Sequence, residues 1–320
     1  MFYQIFEDNA VEYVYKSPVY EKIFKGAKDL KAKDLAVGNI NLIFRVYSES
    51  DPSKTLILKQ ALTFCKKYPD FKVPQSRLKI EAEILKIENQ YSPGSAPELY
   101  YFDEEMFIIL MEDANQHIIM RDGLMKQTIY PKFSKQIGLF LARNLFYTSD
   151  FSLASLEKKD MVVKFINPIM CKTSEEVIFT TPWIEHPNNH WTKPYLDDMV
   201  KELHQDEVLR AEVLMLKNAF MNQSEALIHG DLHTGSILIN QDDIKVIDAE
   251  FGYFGPMGFD IGAVLGNLVL NYASQEYHAK NEKTRAEYRE WLLKTIKEIW
   301  VEFEKEFRHL FDTQRQVGEW

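Results

Sequence analysis

The 320-residue sequence has only two cysteines, Cys65 and Cys171. They stand far apart with no metal-ligand spacing, which leaves two reduced thiols and no disulfide framework. Long basic runs are also missing, and the net charge is −10. Nucleic-acid phosphates need clustered Lys and Arg, so a nucleic-acid partner is excluded. An anionic phosphate donor is not, because a divalent cation and a few placed side chains can carry its charge. No N-terminal stretch joins a basic start to an apolar core, so no secretory signal is read and a cytoplasmic location is expected. The longest apolar stretch, Phe259 to Tyr272, is interrupted by Asp260 and Asn267 and is too short to span a bilayer. Internal repeats and low-complexity runs are absent.

The hydrophobic content is 46%, enough for one large domain or two lobes with sizeable cores. The most informative stretch runs from Ala226 to Asn267. Leu227-Ile228 reads as a strand leading into His229-Gly230-Asp231-Leu232-His233, a loop rich in groups that accept or move protons. Ile237–Ile239 and Ile244–Ile247 flank Gln241-Asp242-Asp243 as a β-hairpin. The second strand is expected to end in Asp248-Ala249-Glu250, with both acids on one side because strand side chains alternate. Two such carboxylates suit Mg²⁺, a hard cation that shares oxygen ligands with phosphate. Asp231, one hairpin away, would accept a hydroxyl proton and orient that oxygen for in-line attack.

Upstream, two β-rich runs from Ala36 to Ser48 and Thr55 to Leu62 enclose a turn at Glu49–Ser53. The Gly38-Asn39-Ile40-Asn41 loop before the first strand, with Lys59 on the second, fits a phosphate-covering loop and a phosphate-binding lysine. A helix is predicted over Gln75 to Tyr91, with Leu78, Glu81, Ala82 and Leu85 on one face. A carboxylate within that apolar stripe needs a partner, and Lys59 is the natural one; Glu83 and Glu88 are expected to face solvent. The apolar run Met106–Met111 reads as a strand. Tyr130 to Tyr147 reads as a core helix, 148–195 as an irregular insertion, and Asp197 to Asn222 as a helix or helix pair. Gly252 to Gly258 reads as a flexible, proline-bounded segment, followed by a helix from Phe259. Lys280 to Trp320 reads as a long helix packed on the larger lobe. The residues from Lys25 to Lys33 read as a polar connection. His229-x-Asp231-x-His233 also admits a transition-metal reading, but no other histidine forms a motif, and His186 and His190 lack a third ligand.

The strings HGDLHTGSI and VIDAEFGYFGPMGFDIGAV closely resemble the methylthioribose kinases, in the kinase-like superfamily with aminoglycoside phosphotransferases and choline kinases. Ser236 and the Asp248-x-Glu250 pair are features that point to this branch. The resemblance extends from Val37 to about Phe307. It implies an α+β, two-lobed, protein-kinase-like fold: a small β-rich N-lobe over 1–111 that binds nucleotide, and a larger helical C-lobe over 112–320 with hinge, catalytic loop and substrate site. It implies ATP and Mg²⁺ as cofactors and phosphorylation of the 1-hydroxyl of 5-methylthioribose in methionine salvage. Asp231 is then the catalytic base, Asp248 and Glu250 hold the metal, and Asn41, Lys59, Glu81 and Ser236 serve the nucleotide. Met111 to Ala114, including Glu112, is the hinge whose backbone reads adenine. Asp260 braces the catalytic loop, and Asp231 with His233 meets the sugar. A homodimer is implied as well. Three departures are visible: Ala36 stands where glycine is usual, Ala249 where proline is usual, and no Arg-Arg pair occurs, although the family brings one to the sugar from further C-terminal helices. Two other readings stay open at this point: a kinase of another small alcohol or sugar, and a non-catalytic kinase-fold protein that binds a nucleotide or partner.

Overall fold

The computed structural model describes residues 2–36 and 38–316. Val37, in the predicted β-rich run just before the phosphate-covering loop, and 317–320, the end of the predicted last helix, lie outside the described residues. The first part of the chain comprises α1 (Glu7–Lys16), α2 (Tyr20–Phe24), β1 (Leu30–Asp34), β2 (Asn41–Ser48), β3 (Thr55–Ala61), α3 (Arg77–Tyr91), β4 (Leu99–Asp103) and β5 (Ile108–Met111). Its strands form one antiparallel sheet in the order β1-β2-β3-β5-β4. The segment from Lys25 to Lys33, read as a connection, thus ends in a sheet-edge strand; its alternating lysines keep the exposed edge polar.

Strand β3 is buried on both faces, because helices cover the sheet from each side. Leu56 and Leu58 pack with Ala10 and Val14 of α1. Ile57 and Ala61 pack with Leu78, Ala82 and Leu85 of α3. Lys59 lies at the same parity as Ile57 and Ala61, so strand alternation turns it toward α3. That is how a lysine in an apolar strand comes to be fully buried beside Glu81. Glu88, two turns further along α3, is buried as well rather than solvated, because the C-terminal half of the helix is wedged against the second lobe.

The rest of the chain is mainly helical: β6 (Ile118–Ile119), α4 (Met120–Met125), α5 (Phe133–Tyr147), α6 (Ser155–Lys164), α7 (Pro168–Val177), α8 (Asp197–Gln205), α9 (Glu207–Asn222), β7 (Ala226–Ile228), β8 (Ile237–Ile239), β9 (Ile244–Val246), β10 (Tyr253–Gly255), α10 (Gly258–His278) and α11 (Glu282–Gln314). The predicted hairpin is β8–β9, with Ile237 opposite Val246. The region 148–195 is not irregular throughout: it holds α6 and α7, the latter started by Pro168, whose fixed φ suits the first helical turn. Nor is Gly252 to Gly258 loose, since Tyr253–Gly255 pairs antiparallel with Ala226–Ile228.

Phe133, Ile137, Phe140, Leu141 and Leu145 of α5 face Leu292, Ile299 and Phe303 of α11 in the main core. Burying each such side chain contributes about 1.5–3 kcal/mol. The two helices approach so closely that a Cβ on Gly138 would lie 2.9 Å from the Glu302 Cβ and 3.1 Å from the Ile299 carbonyl oxygen. The apolar spacing in both segments therefore marks one helix–helix contact. No described helix is long and apolar enough to cross a membrane.

Candidate active site

The loop after β7 is held by α10. The Asp260 carboxylate, in the first turn of that helix, accepts from the amides of His229 at 2.6 Å and Gly230 at 3.0 Å. Asn267, two turns on, accepts through Oδ1 from the Thr234 hydroxyl at 3.1 Å. Gly230 adopts φ +80°, and a Cβ there would stand 2.5 Å from the Phe251 carbonyl oxygen, so only glycine fits. Burial pushes the Asp260 carboxyl up to about 6, against the two amides that favour its charged form.

His229 is buried and packed, as expected of it. Its Nε2 lies 2.8 Å from the Ile247 carbonyl oxygen, which can only accept, so Nε2 carries the proton. Its Nδ1 then accepts from the Asp231 amide at 3.2 Å. Burial lowers the imidazole to about 4, so the ring is neutral and reserved for structure. The Asp231 side chain is 40% exposed, on the cleft side of this loop. Desolvation, with Asp248, Glu250 and Asp260 nearby, raises its carboxyl to about 7, while Arg121 opposes the shift. A carboxylate with raised basicity is suited to take a hydroxyl proton. His233 Nε2 lies 3.7 Å from Asp231 Oδ2, and His233 Nδ1 accepts from the Gly235 amide at 2.9 Å. Ser236 is buried, and its hydroxyl sits 3.3 Å from the same His233 nitrogen.

Two cations bind the acids together. Lys59 Nζ reaches Glu81 Oε1 at 2.8 Å and Asp248 Oδ1 at 2.5 Å. Burial alone would discharge this ammonium, but Asp248, Glu81 and Glu250 hold its pKa above the ordinary lysine value. Desolvation would raise Asp248 in turn, and Lys59 outweighs it, keeping the carboxyl below its usual range. The expected Lys59–Glu81 pair is therefore present, and it extends to Asp248.

Asp248 and Glu250 do share the cleft, but not through strand alternation. Strand β9 ends at Val246, Asp248 takes a left-handed conformation with φ +67°, and 249–251 form a 3₁₀ turn. Such a conformation in a residue with a side chain costs of order 1–3 kcal/mol and persists only where its surroundings enforce it. Asp248 is 38% exposed on its side chain, whereas Glu250 is nearly enclosed. Asn41 Nδ2 donates to both Glu250 oxygens at 3.1 Å, and Arg77 Nε donates to one at 2.7 Å.

Arg77 was not visible as a site residue. Fully buried at the start of α3, it also donates through Nη1 to the Leu62 and Pro74 carbonyls and through Nη2 to the Ile40 carbonyl and Asn41 Oδ1. All five guanidinium donors are used. Asn41 is thus tied to Glu250 and Arg77 rather than open to the cleft. Arg121, also missed, lies with Nη2 3.3 Å from His233 Nδ1. Neither arginine belongs to a recognisable motif; the only signal was an arginine flanking an apolar helix stripe.

Among the described residues no group of three or more His, Cys, Asp or Glu is arranged to hold a metal. A hard cation still fits the donor chemistry at Asp248, whose half-exposed carboxylate has one oxygen beyond the Lys59 bond. Glu250 fits only if it shares an oxygen now bonded to Asn41 and Arg77. At the end of β5, Glu112 pairs with Lys245 at 2.9 Å and Asp113 with Arg45 at 2.6 Å. The Glu112 carbonyl and the Ala114 amide make no hydrogen bond among the described residues. One acceptor and one donor, two residues apart beside the buried Met111, match the amino group and ring nitrogen along an adenine edge.

The Phosphotransferase enzyme family matches over residues 31–292. Methylthioribose kinase from Escherichia coli O45:K1 (strain S88 / ExPEC) is 39% identical over 296 residues, covering 92% of this chain and 70% of that enzyme. Methylthioribose kinase 1 from Oryza sativa subsp. japonica is 35% identical over 313 residues, covering 97% and 72%. Among solved structures, a glucosamine kinase in complex with glucosamine, ADP and inorganic phosphate superimposes with a TM-score of 0.55 at 10% identity, covering 99% of this chain and 78% of that one; at this identity the likeness shows the fold alone. With the braced loop, the shared lysine and the family match in agreement, the chain belongs to the methylthioribose kinases within the phosphotransferase enzyme family.

Proposed function

We propose that the protein transfers the γ-phosphoryl group of ATP to the 1-hydroxyl of 5-methylthioribose, a step of methionine salvage. The observation that carries this reading is the Asp231 carboxylate, held on an Asp260-braced loop and raised in basicity, in a cleft that also contains the Lys59–Asp248 pair. Asp231 accepts the acceptor hydroxyl's proton and aims its oxygen in line with the phosphoryl group. Lys59 is steadied by Glu81 and neutralises donor phosphate. The Glu112 carbonyl and Ala114 amide hold adenine next to Met111, with the lobes dividing between 111 and 112. Asp248, with Glu250, would hold Mg²⁺, which when bound screens the negative charge of the phosphates. Ser236 and His233 shape the loop between base and phosphates, and His233 lies close enough to Asp231 to meet the sugar. Asn41 serves the nucleotide indirectly, by tethering the phosphate-covering loop to Glu250.

A cytoplasmic homodimer belongs to the same reading; light scattering in solution decides the oligomeric state. The activity test is ATP turnover with Mg²⁺, with and without 5-methylthioribose, alongside ribose, choline and an aminoglycoside. Stimulation by 5-methylthioribose alone, lost in Asp231→Asn, is expected. Equal or greater stimulation by another acceptor would reassign the substrate, and nucleotide binding without any turnover would overturn the catalytic reading.

A further inference from the structure

Beside the catalytic loop lies a small, largely buried cavity between α3, α5, β7 and α10. It offers about 20 Å³ to the centre of a water-sized sphere and is lined by Glu88, Asn144, Thr148, His229 and Asp260 among apolar side chains. One water needs about 10–15 Å³ by that measure, and two to four polar partners. Glu88 is 4% exposed and Asn144 7%. Glu88 Oε2 and Asn144 Oδ1 have no hydrogen-bond partner among the described residues. The amide nitrogen of Asn144 is committed to Ser92 Oγ and the Phe140 carbonyl, so the side chain cannot be turned over to present a donor. His229 offers no donor here either, since its protonated nitrogen is bonded to Ile247.

The Thr148 hydroxyl donates to the Asn144 carbonyl at 2.7 Å and accepts from the Leu227 amide, so it has no proton left for the cavity. The polar wall that remains therefore consists of acceptors: Glu88, Asn144 Oδ1 and the remaining lone pairs of Asp260. If Glu88 were ionised, one water would bring two protons to three acceptors, two of them carboxylates, with no cation in the cavity wall. Other charged groups around it make ionisation worse: Glu81 on the same helix and Asp260 on α10, while the α5 wall, Phe140, Leu141, Asn144 and Leu145 with Thr148 at its C-cap, contributes no charge. A protonated Glu88 restores the balance. Its hydroxyl donates to the water oxygen and the two water protons go to Asn144 Oδ1 and Asp260, so three donors meet three acceptors.

We propose that Glu88 is a neutral carboxylic acid that, together with one internal water, braces Asp260 from behind and so positions the catalytic loop. Glu88 is a positioning residue acting through Asp260; it does not touch the reacting atoms. Burial and the neighbouring acids push its pKa well above the ordinary carboxyl range, in agreement with this geometry.

The test compares the wild type with Glu88→Gln and Glu88→Leu. Gln keeps a donor at the same place, whereas Leu keeps only the bulk. A proton retained in the folded state and lost on unfolding makes the unfolding constant rise about tenfold per pH unit above the unfolded carboxyl pKa. Denaturant unfolding between pH 6.5 and 9 should therefore be less pH-dependent in Glu88→Gln than in wild type, by up to that factor. The infrared carbonyl band of a protonated acid should also disappear in the variant. Parallel pH dependences with no lost band would show Glu88 ionised and overturn the proposal. A crystal structure with a dry cavity would overturn the water bridge. The second readout alone rests on the kinase reading: Glu88→Leu should lower kcat by up to about 10²-fold with nucleotide affinity unchanged, and Glu88→Gln should restore it. Unchanged kcat in Glu88→Leu would remove the positioning role. If no acceptor is turned over by the wild type, the pH dependence and the infrared band still decide the state of Glu88.

Discussion

At the residue scale, the chemistry turns on side chains whose neighbours decide their charge. Replacing Asp231 by Asn should lower turnover by about 10²–10⁴-fold while leaving nucleotide affinity nearly intact, checked by single-turnover kinetics beside equilibrium binding. His229 lies next to it but should not take part in proton transfer. With its pKa lowered to about 4, its imidazole should show no titration between pH 5 and 8 in two-dimensional NMR. Because the folded value lies below the unfolded value of about 6.5, the stability this residue contributes is present above pH 6.5 and is lost as pH falls through 4. Gly230→Ala introduces both a clash with the Phe251 carbonyl and a left-handed backbone unfavourable to alanine. The expected cost is about 1–3 kcal/mol with a loss of turnover, measured by denaturation and kinetics. The Lys59–Glu81 pair, and Asp231 as a candidate base, stood out because each is a chemical group out of keeping with its local pattern: an acid in an apolar helix stripe, and a proton acceptor in a His-Gly-Asp loop. Arg77 and Arg121 did not, because their partners lie far away in sequence and become neighbours only in the folded chain.

At the element scale, α3 links the two halves of the site. It presents Glu81 to Lys59 and Arg77 to Glu250, both through buried pairs. Arg77→Met should strand a buried carboxylate and the carbonyls of Ile40, Leu62 and Pro74, costing about 3–5 kcal/mol in urea denaturation. Arg77→Lys should recover only part of that loss, because an ammonium has three donors and cannot reproduce the fork. Long, strongly periodic segments such as α5 and α11 were legible, since their apolar spacing records the face they bury. Two short elements were not, although the β8–β9 hairpin, closed by a polar turn, was. The strands at Leu30–Asp34 and Tyr253–Gly255 carry too few residues to show a period, and they form because a partner strand lies alongside. The same limitation explains Asp248 and Glu250: strand alternation predicted a shared side, and the chain achieves proximity through a strained turn that tertiary contacts impose. Glu88 shows the reverse error, a charged residue assigned to solvent by type and buried by the approach of the second lobe.

At the scale of the whole molecule, the sheet-bearing and helical parts meet through ion pairs, Lys59 with Asp248 and Arg77 with Glu250. A ligand that binds only the folded form stabilises it by mass action, about 2.7 kcal/mol at a hundredfold excess over Kd. ATP with Mg²⁺ should therefore raise Tm, and chelation of the metal should remove most of that increase and abolish turnover; both are measurable by scanning calorimetry and a coupled assay. An unchanged Tm in the presence of excess nucleotide would place ATP elsewhere. Lys59, anchored in the sheet, is bonded at once to Glu81 and to Asp248 from the opposite lobe. This single ammonium is a bolt through both halves. If Lys59 receives donor phosphates as proposed, they take Asp248's place on it, which leaves that carboxylate without its cation unless another arrives with the phosphates. On that reading nucleotide admission is an exchange of counterions, and naked ATP should be a markedly poorer guest than ATP escorted by a divalent ion.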